Sequence, residues 1–359
     1  MSEQPHCHPM VVDSEYFLGR RSTNLHHFLI TLRLCSGLGT PLRAETLWGH
    51  ICWGIRYRSG SEFLKEWLSQ YDADSPPLVL SDPVPHGFLP RPRLPGPKAS
   101  STRPLANEAA QRKAINRRTL ISAQRMMALQ SNLTSDGLLS AIAEDSSVPA
   151  ASTEVSITQA GINRLTGGTE QPEGGALYTS PVRFYRSPGQ NDQPLFDVYV
   201  RSPETQDNVE QWFRDGLSGG YGRDAATGRG NLQVQSISPW IPKTIPQANA
   251  VVLLGPAVPR QNDPCRGYFV PGVYSGRLGG DFAIEDTPDG SGLRQKYPVH
   301  YLQAGSVLIC SSAPDEVPGV PPTIGRVLSD VHPWSEIRHY GISLSLPVKL
   351  DERLLKSAF

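Results

Sequence analysis

A seven-residue alternation early in the chain limits the fold more than any other feature. Phe28, Ile30, Leu32 and Leu34 alternate with Leu29, Thr31 and Arg33, the period of two expected of a strand that buries one face. Gly37, Gly39 and Pro41 break the strand, and the next segment changes period. From about Ala44 to Arg58, Leu47, His50, Ile51, Gly54 and Ile55 share one helical stripe, which Trp48, Cys52 and Trp53 widen. A helix apolar on most sides is a buried helix. A strand feeding such a helix calls for a sheet with helices packed on it, and the expected fold class is α+β.

The rest of the chain fits that class. A short apolar run, Leu78–Leu80, lies within a proline-rich stretch over residues 74–104. Proline lacks an amide donor and fixes φ, so that stretch is extended and poor in backbone hydrogen bonds. Residues 105–129, rich in Ala, Arg, Gln and Met, predict a basic helix. Residues 131–156, with weak apolar content, read as disordered. Strands resume near Val182, at Phe196, Val198 and Val200, and at 232–237. Between the last two, Val209, Trp212 and Phe213 at i, i+3 and i+4 mark one face of a helix over 207–215. Strand, helix, strand, strand, helix, strand is the βαββαβ order of a ferredoxin-like unit. Beyond Trp240 a β-rich region contains Val251–Leu254 and a terminal alternation of Tyr340, Ile342, Leu344 and Leu346. The expected organisation is a loose arm over 1–24, a ferredoxin-like domain over 25–238 and a second ferredoxin-like domain over 239–359.

Composition enters where function does. The 34 basic and 34 acidic side chains leave no net charge, so any nucleic-acid surface must be local. It is local in the sequence: between His86 and Gln130 there are nine basic residues against one acid, Glu108. The five cysteines are scattered and form no CxxC pair, which argues for a reducing compartment and against a zinc ribbon. The first residues lack the pattern of a signal peptide, and no run of about 18 apolar residues occurs, so a cytoplasmic protein without a membrane segment is expected.

Four segments carry a resemblance. TPLRAETLWGHICWGIR, residues 40–56, has Glu45, Thr46, Leu47, Trp48, Gly49 and His50 in order; read on its own it is a buried helix with a glycine at a close helix–sheet contact. PPLVLSDPVPHGFLPRPRLP, residues 76–95, sets an apolar strand before a Leu-Pro-basic-Pro run. GINRLTGGTEQPEGGALYTSPVRF, residues 161–184, reads as a hairpin. The glycine-rich loop over 216–231 contains Gly219, Gly220, Tyr221, Gly222, Arg223, Gly228, Arg229 and Gly230. Glycines let a backbone approach phosphates and arginines hold them with paired hydrogen bonds. Together these segments resemble the RAMP superfamily of CRISPR proteins, and within it the type III (Csm-type) subunit that grips the 5′ handle of the guide RNA.

The resemblance implies two RRM-like domains, a β-hairpin thumb and a glycine-rich loop. It also implies a non-catalytic role in antiviral defence. The RNA-binding residues it points to are Arg112, Lys113, Arg117 and Arg118 of the basic helix, Arg164 and Tyr178 of the hairpin, and Gly219, Gly220, Tyr221, Gly222, Arg223 and Arg229 of the loop. Partners implied are the crRNA, the large polymerase-like subunit, backbone RAMP subunits and target RNA, with no cofactor. The sequence departs from the family pattern at Asn163, where the family often has Asp, and at Asp224-Ala225-Ala226, where basic and small residues are usual.

Other chemistry has weaker support. GLSGG at 216–220 matches a hydrolase nucleophile elbow, but that motif needs a strand before Ser218 and a helix after it, the reverse of the order here. His6, Cys7 and His8 lie in the arm without further spaced ligands. The enzymatic alternative is a metal-independent RAMP endoribonuclease that uses His26, His27, His50 or His300 as general acid or base. None of the four sits in a distinguishing motif.

Overall fold

The computed structural model describes residues 25–96, 117–162, 167–169, 177–189, 192–310 and 320–358. Its elements run β1 (His26–Leu34), α1 (Ala44–Asp72), β2 (Val79–Leu80), β3 (Val84–Pro85), β4 (Phe88–Pro90), β5 (Leu120–Ser122), α2 (Ala123–Leu129), α3 (Ser135–Ala143), β6 (Ala151–Ala160), β7 (Leu177–Arg186), β8 (Leu195–Ser202), α4 (Gln206–Leu217) and β9 (Leu232–Pro239). The second half adds β10 (Ala250–Leu253), β11 (Arg266–Tyr268), β12 (Pro271–Tyr274), β13 (Val299–Leu302), β14 (Val307–Ile309), β15 (Thr323–Gly325), β16 (Ile342–Val348) and α5 (Glu352–Ser357).

The first sheet has the order β2-β8-β1-β9, with β3 also on β8, and is antiparallel throughout. With α1 after β1 and α4 after β8, this is the βαββαβ arrangement the sequence calls for. Phe28, Ile30, Leu32 and Leu34 are buried, as period-two alternation requires. On the opposite face Thr31 donates to Asp197 Oδ1 at 3.0 Å, and Tyr199 packs edge-on against Trp240 at 4.9 Å between ring centres.

α1 runs well past Arg58. Gly60, at φ +89, kinks it, and a second helical stretch continues because Leu64, Trp67, Leu68 and Tyr71 resume the apolar stripe. Its first turn is capped from outside the helix: Asp82 Oδ1 accepts the Ala44 N–H at 2.8 Å. The close contact of α1 is made by Gly54, not by Gly49. A Cβ on Gly54 would lie 2.5 Å from Gly216 N of α4, whereas one on Gly49 would meet nothing within 4 Å.

Three further expectations are corrected. The part of 105–129 that is described is not one helix: β5 pairs with β4 and α2 begins only at Ala123, since Leu120 and Ile121 fill a strand position against Leu89. Residues 131–156 are ordered, because Thr134 caps α3 by accepting the Gly137 N–H at 2.9 Å and Leu138 and Ile142 are buried. The second sheet, β11-β14-β10-β16-β15, is antiparallel but not ferredoxin-like. Among the described residues no α-helix connects its strands, and α5 follows the last of them.

One hydrophobic core runs through both sheets, from Ile30 and Val198 to Val252, Tyr340 and Leu344. Tyr340 joins them directly, its hydroxyl accepting the Leu80 N–H at 2.7 Å.

Candidate nucleic-acid interface

Three segments distant in sequence meet at the end of β1: the turn over 35–41, strand β7, and the glycine-rich loop over 219–231. Leu38 and Arg183 exchange both backbone hydrogen bonds, at 2.8 and 2.9 Å. Gly37 lies so close to β7 that a Cβ there would be 2.6 Å from Val182. The loop is fastened to the same turn by Gly230 N–H to Gly37 O at 2.9 Å and Arg223 N–H to Thr40 Oγ1 at 2.9 Å. Gly220 and Gly222 adopt φ of +85 and +73, which side chains rarely tolerate, so two of the glycines are required by the turn itself.

Tyr221, expected among the RNA-binding residues of the loop, is not at the surface. Its ring is fully buried, and its hydroxyl donates to Pro41 O at 2.8 Å while accepting the Arg43 N–H at 2.9 Å. It ties the loop to the first residue before α1. Arg229 is likewise not a free phosphate ligand. It is nine-tenths buried, and its Nη1 donates to Asp224 Oδ2 at 2.7 Å and to Ser180 Oγ at 2.9 Å. Asp224, which departs from the family pattern, is thus the partner that neutralises Arg229. Arg223 also reaches Asp224, Nε to Oδ2 at 3.5 Å, and remains two-fifths exposed, with Nη2 donating to Pro181 O at 2.9 Å. Gly219 is exposed, and no atom lies within 4 Å of where its Cβ would be.

The hairpin of β6 and β7 pairs in register from Ala151↔Arg186 to Ala160↔Leu177 and presents Val155, Leu177, Tyr178 and Phe184 to solvent. Tyr178 is 54% exposed. Strand alternation puts it on the same face as Ser180 and Val182, which meet Arg229 and Gly37. It therefore stands one pleat beyond the point where the hairpin leaves the loop. Arg164, Arg112 and Lys113 lie outside the described residues. Arg117 is exposed. Arg118 donates to Ile142 O at 3.1 Å, which links the basic stretch to α3.

The candidate catalytic groups are dispersed. His27 packs against Trp240, His26 and His300 are exposed on β1 and β13, and Ser218 donates its hydroxyl to Asp215 O at 2.8 Å at the end of α4. Among the described residues no group of His, Cys, Asp and Glu could hold a metal, and no helix is long and apolar enough to cross a membrane.

His50 has a different task. Its Nε2 accepts the Gly222 N–H at 2.8 Å, so the neutral ring carries its proton on Nδ1. Burial lowers its pKa to about 4 from the ordinary 6.5. The unfolded chain thus binds more protons between those values, and the stability due to neutral His50 is complete above pH 6.5 and lost as pH falls to 4. His339, lowered to about 3 by burial, acts in the same sense, while Asp82, raised to about 7 by burial, acts in the opposite one. Comparison with a variant isolates His50. His50→Gln is expected to be less stable than the wild type at pH 7.5 and to close that gap as pH falls to 4.5, by up to about 1.4 kcal/mol per pH unit. Urea unfolding at both pH values measures it; a gap independent of pH would show that His50 does not titrate in this way.

No protein-family model matches this sequence, and no curated protein does. Solved structures do match. A chain of a Csm1–Csm4 cassette crystallised with pppApA aligns over 90% of this chain and 99% of its own, with TM-score 0.52 and 14% identity. A chain of the Csm3–Csm4 subcomplex of the type III-A CRISPR–Cas interference complex aligns over the same shares, with TM-score 0.51 and 11% identity. The fold is that of a subunit of type III CRISPR assemblies. It is the fold of Csm4, the component that the two assemblies have in common.

Proposed function

We propose that this chain is a non-catalytic RNA-binding subunit of a type III CRISPR ribonucleoprotein, holding the 5′ handle of the crRNA. Its neighbours on this reading are the large polymerase-like subunit and a backbone RAMP subunit, as Csm1 and Csm3 accompany Csm4 in the matched assemblies. The observation that carries the reading is a likeness of fold spanning nine-tenths of this chain and nearly all of the other. The site supports it physically. The RNA backbone lies along Gly219, Gly220 and Arg223, and a base stacks on the exposed ring of Tyr178. Arg112, Lys113, Arg117 and Arg164 are further phosphate contacts in this reading. Tyr221, Arg229 and His50 shape the loop from beneath.

The test is to purify the intact complex from its host and sequence the RNA it retains. A common 5′ sequence is expected, and random 5′ ends, or no RNA in an intact complex, would sink the proposal. Within it, Tyr178→Ala is expected to weaken RNA binding by roughly 5- to 150-fold, the equivalent of about 1–3 kcal/mol for one stacked base. Because the ring is exposed, the urea midpoint should not move. Unchanged affinity would remove the hairpin from the interface.

A further inference from the structure

A cavity of 460 Å³ lies between α1 and the second half of the chain, apart from the hairpin and the exposed part of the loop. Its size falls within the roughly 300–1,000 Å³ of small-molecule sites. Leu64, Leu68, Phe282 and Ile337 give it apolar walls. Three observations set it apart from a packing flaw. Gly49 faces it from the middle of a helix with nothing within 4 Å of its absent Cβ, in a position where any side chain would add packing. Glu45, over nine-tenths buried, lines it with Oε1 on Arg43 Nη1 at 3.3 Å and with Oε2 lacking any hydrogen-bond partner among the described residues. Arg338 lines it with its buried Nε also unpartnered.

A buried acceptor and a buried donor left unmade are each costly, so a natural occupant supplies both partners. The remaining charge says more about that occupant. Arg56, Lys65, Arg277, Lys296 and Arg338 line the cavity against Glu45 and Glu336, with Asp281 on Arg56 at 3.0 Å and Glu62 on Lys65 at 2.9 Å beside it, so the lining keeps a small cationic excess. Lys65 and Arg277 are exposed and stand at the mouth. The fitting ligand has a flat apolar body, an amine at its inner end for Glu45, an acceptor beside the amine, and an anionic outer end.

We propose that this cavity binds a nucleoside phosphate with an amino-bearing base, the base amine on Glu45 and the phosphate at Lys65 and Arg277. The nucleotide is either free or part of a bound RNA, and the site stands whether or not the RNA is a crRNA. Calorimetric titration of the full chain, freed of RNA, with AMP, UMP and inorganic phosphate tests it. UMP lacks the amine, and its ring donor is flanked by two carbonyl oxygens. AMP should bind saturably, at least tenfold more tightly than UMP or phosphate. Gly49→Leu, which fills the cavity without a clash at Cβ, should abolish binding without lowering the urea midpoint. Lys65→Ala, at an exposed position, should weaken it several-fold.

No saturable AMP binding at millimolar concentration, equal affinity for UMP, or binding unchanged in both variants would overturn the proposal. If RNA-loaded protein excludes AMP, the occupant is a nucleotide of that RNA; if it binds AMP as the RNA-free protein does, the occupant is free. Failure to recover a common RNA 5′ end would leave these results intact, so the two readings fail separately.

Discussion

Tyr221→Ala is expected to lower the free energy of unfolding by about 4 kcal/mol, within the range for truncating a fully buried aromatic. That is a large share of the roughly 5–15 kcal/mol that holds a typical domain together. The ring fills space against His50, with centres 5.3 Å apart, and its hydroxyl joins Pro41 to Arg43. Tyr221→Phe separates the two contributions. It keeps the packing and leaves the Arg43 N–H and Pro41 O without their partner, at a cost of about 1–3 kcal/mol. RNA retention should fall in step with stability in both variants. If Tyr221→Ala removed RNA binding while leaving the urea midpoint in place, the ring would be contacting RNA and the buried position would be wrong.

Gly54→Leu is the second large effect, about 3 kcal/mol or more. A Cβ at this position would sit 2.5 Å from Gly216 N and 2.7 Å from the Asp215 carbonyl carbon. Gly216 answers in kind, its own Cβ position falling 2.8 Å from Ile51 Cα. Overpacking usually costs about 1–3 kcal/mol because side chains can yield. Here the obstacle on both sides is helix backbone, so α1 and α4 must move apart, and with them the two ends of the glycine-rich loop's support. Gly49→Leu, five residues earlier on the same helix, is the control: it should cost nothing. Urea or thermal unfolding of the pair distinguishes a crossing point from a cavity wall.

The contrast between these two glycines shows what could be read from sequence. The alternation over Phe28–Leu34 and the i, i+3, i+4 spacing of Val209, Trp212 and Phe213 gave the first sheet and its helices, because local period reports which face is buried. Which glycine touches a neighbouring helix depends on where that helix crosses, and no local pattern contains it. The burial of Tyr221 is hidden from the sequence for the same reason. Flanked by glycines and arginines, it reads as exposed, yet Pro41 and Arg43, some 180 positions earlier, enclose it. Arg229 carries a local signal of its pairing: Asp224, five residues before it in a tight glycine turn, is an available counter-ion. The second sheet differs from the expected ferredoxin-like unit because short strands without amphipathic helices between them fix strand count but not connection. The order over 131–156 rests on a cap at Thr134 and on burial of Leu138 and Ile142, too few apolar residues to register in composition.

The β6–β7 hairpin has a consequence in time as well as in space. A ribbon of two strands exposed on both faces is barely stable by itself in water. What fixes it is its base, where Arg183 meets Leu38 and Ser180 meets Arg229, contacts that close loops of 145 and 49 residues. The ribbon must therefore wait for the body of the protein, and its amide protons should exchange along a gradient: slowest at Arg183 and faster toward Leu177. Single-stranded RNA laid against Tyr178 would flatten that gradient from the outer end inward, and the protein would then finish folding its own finger on its ligand.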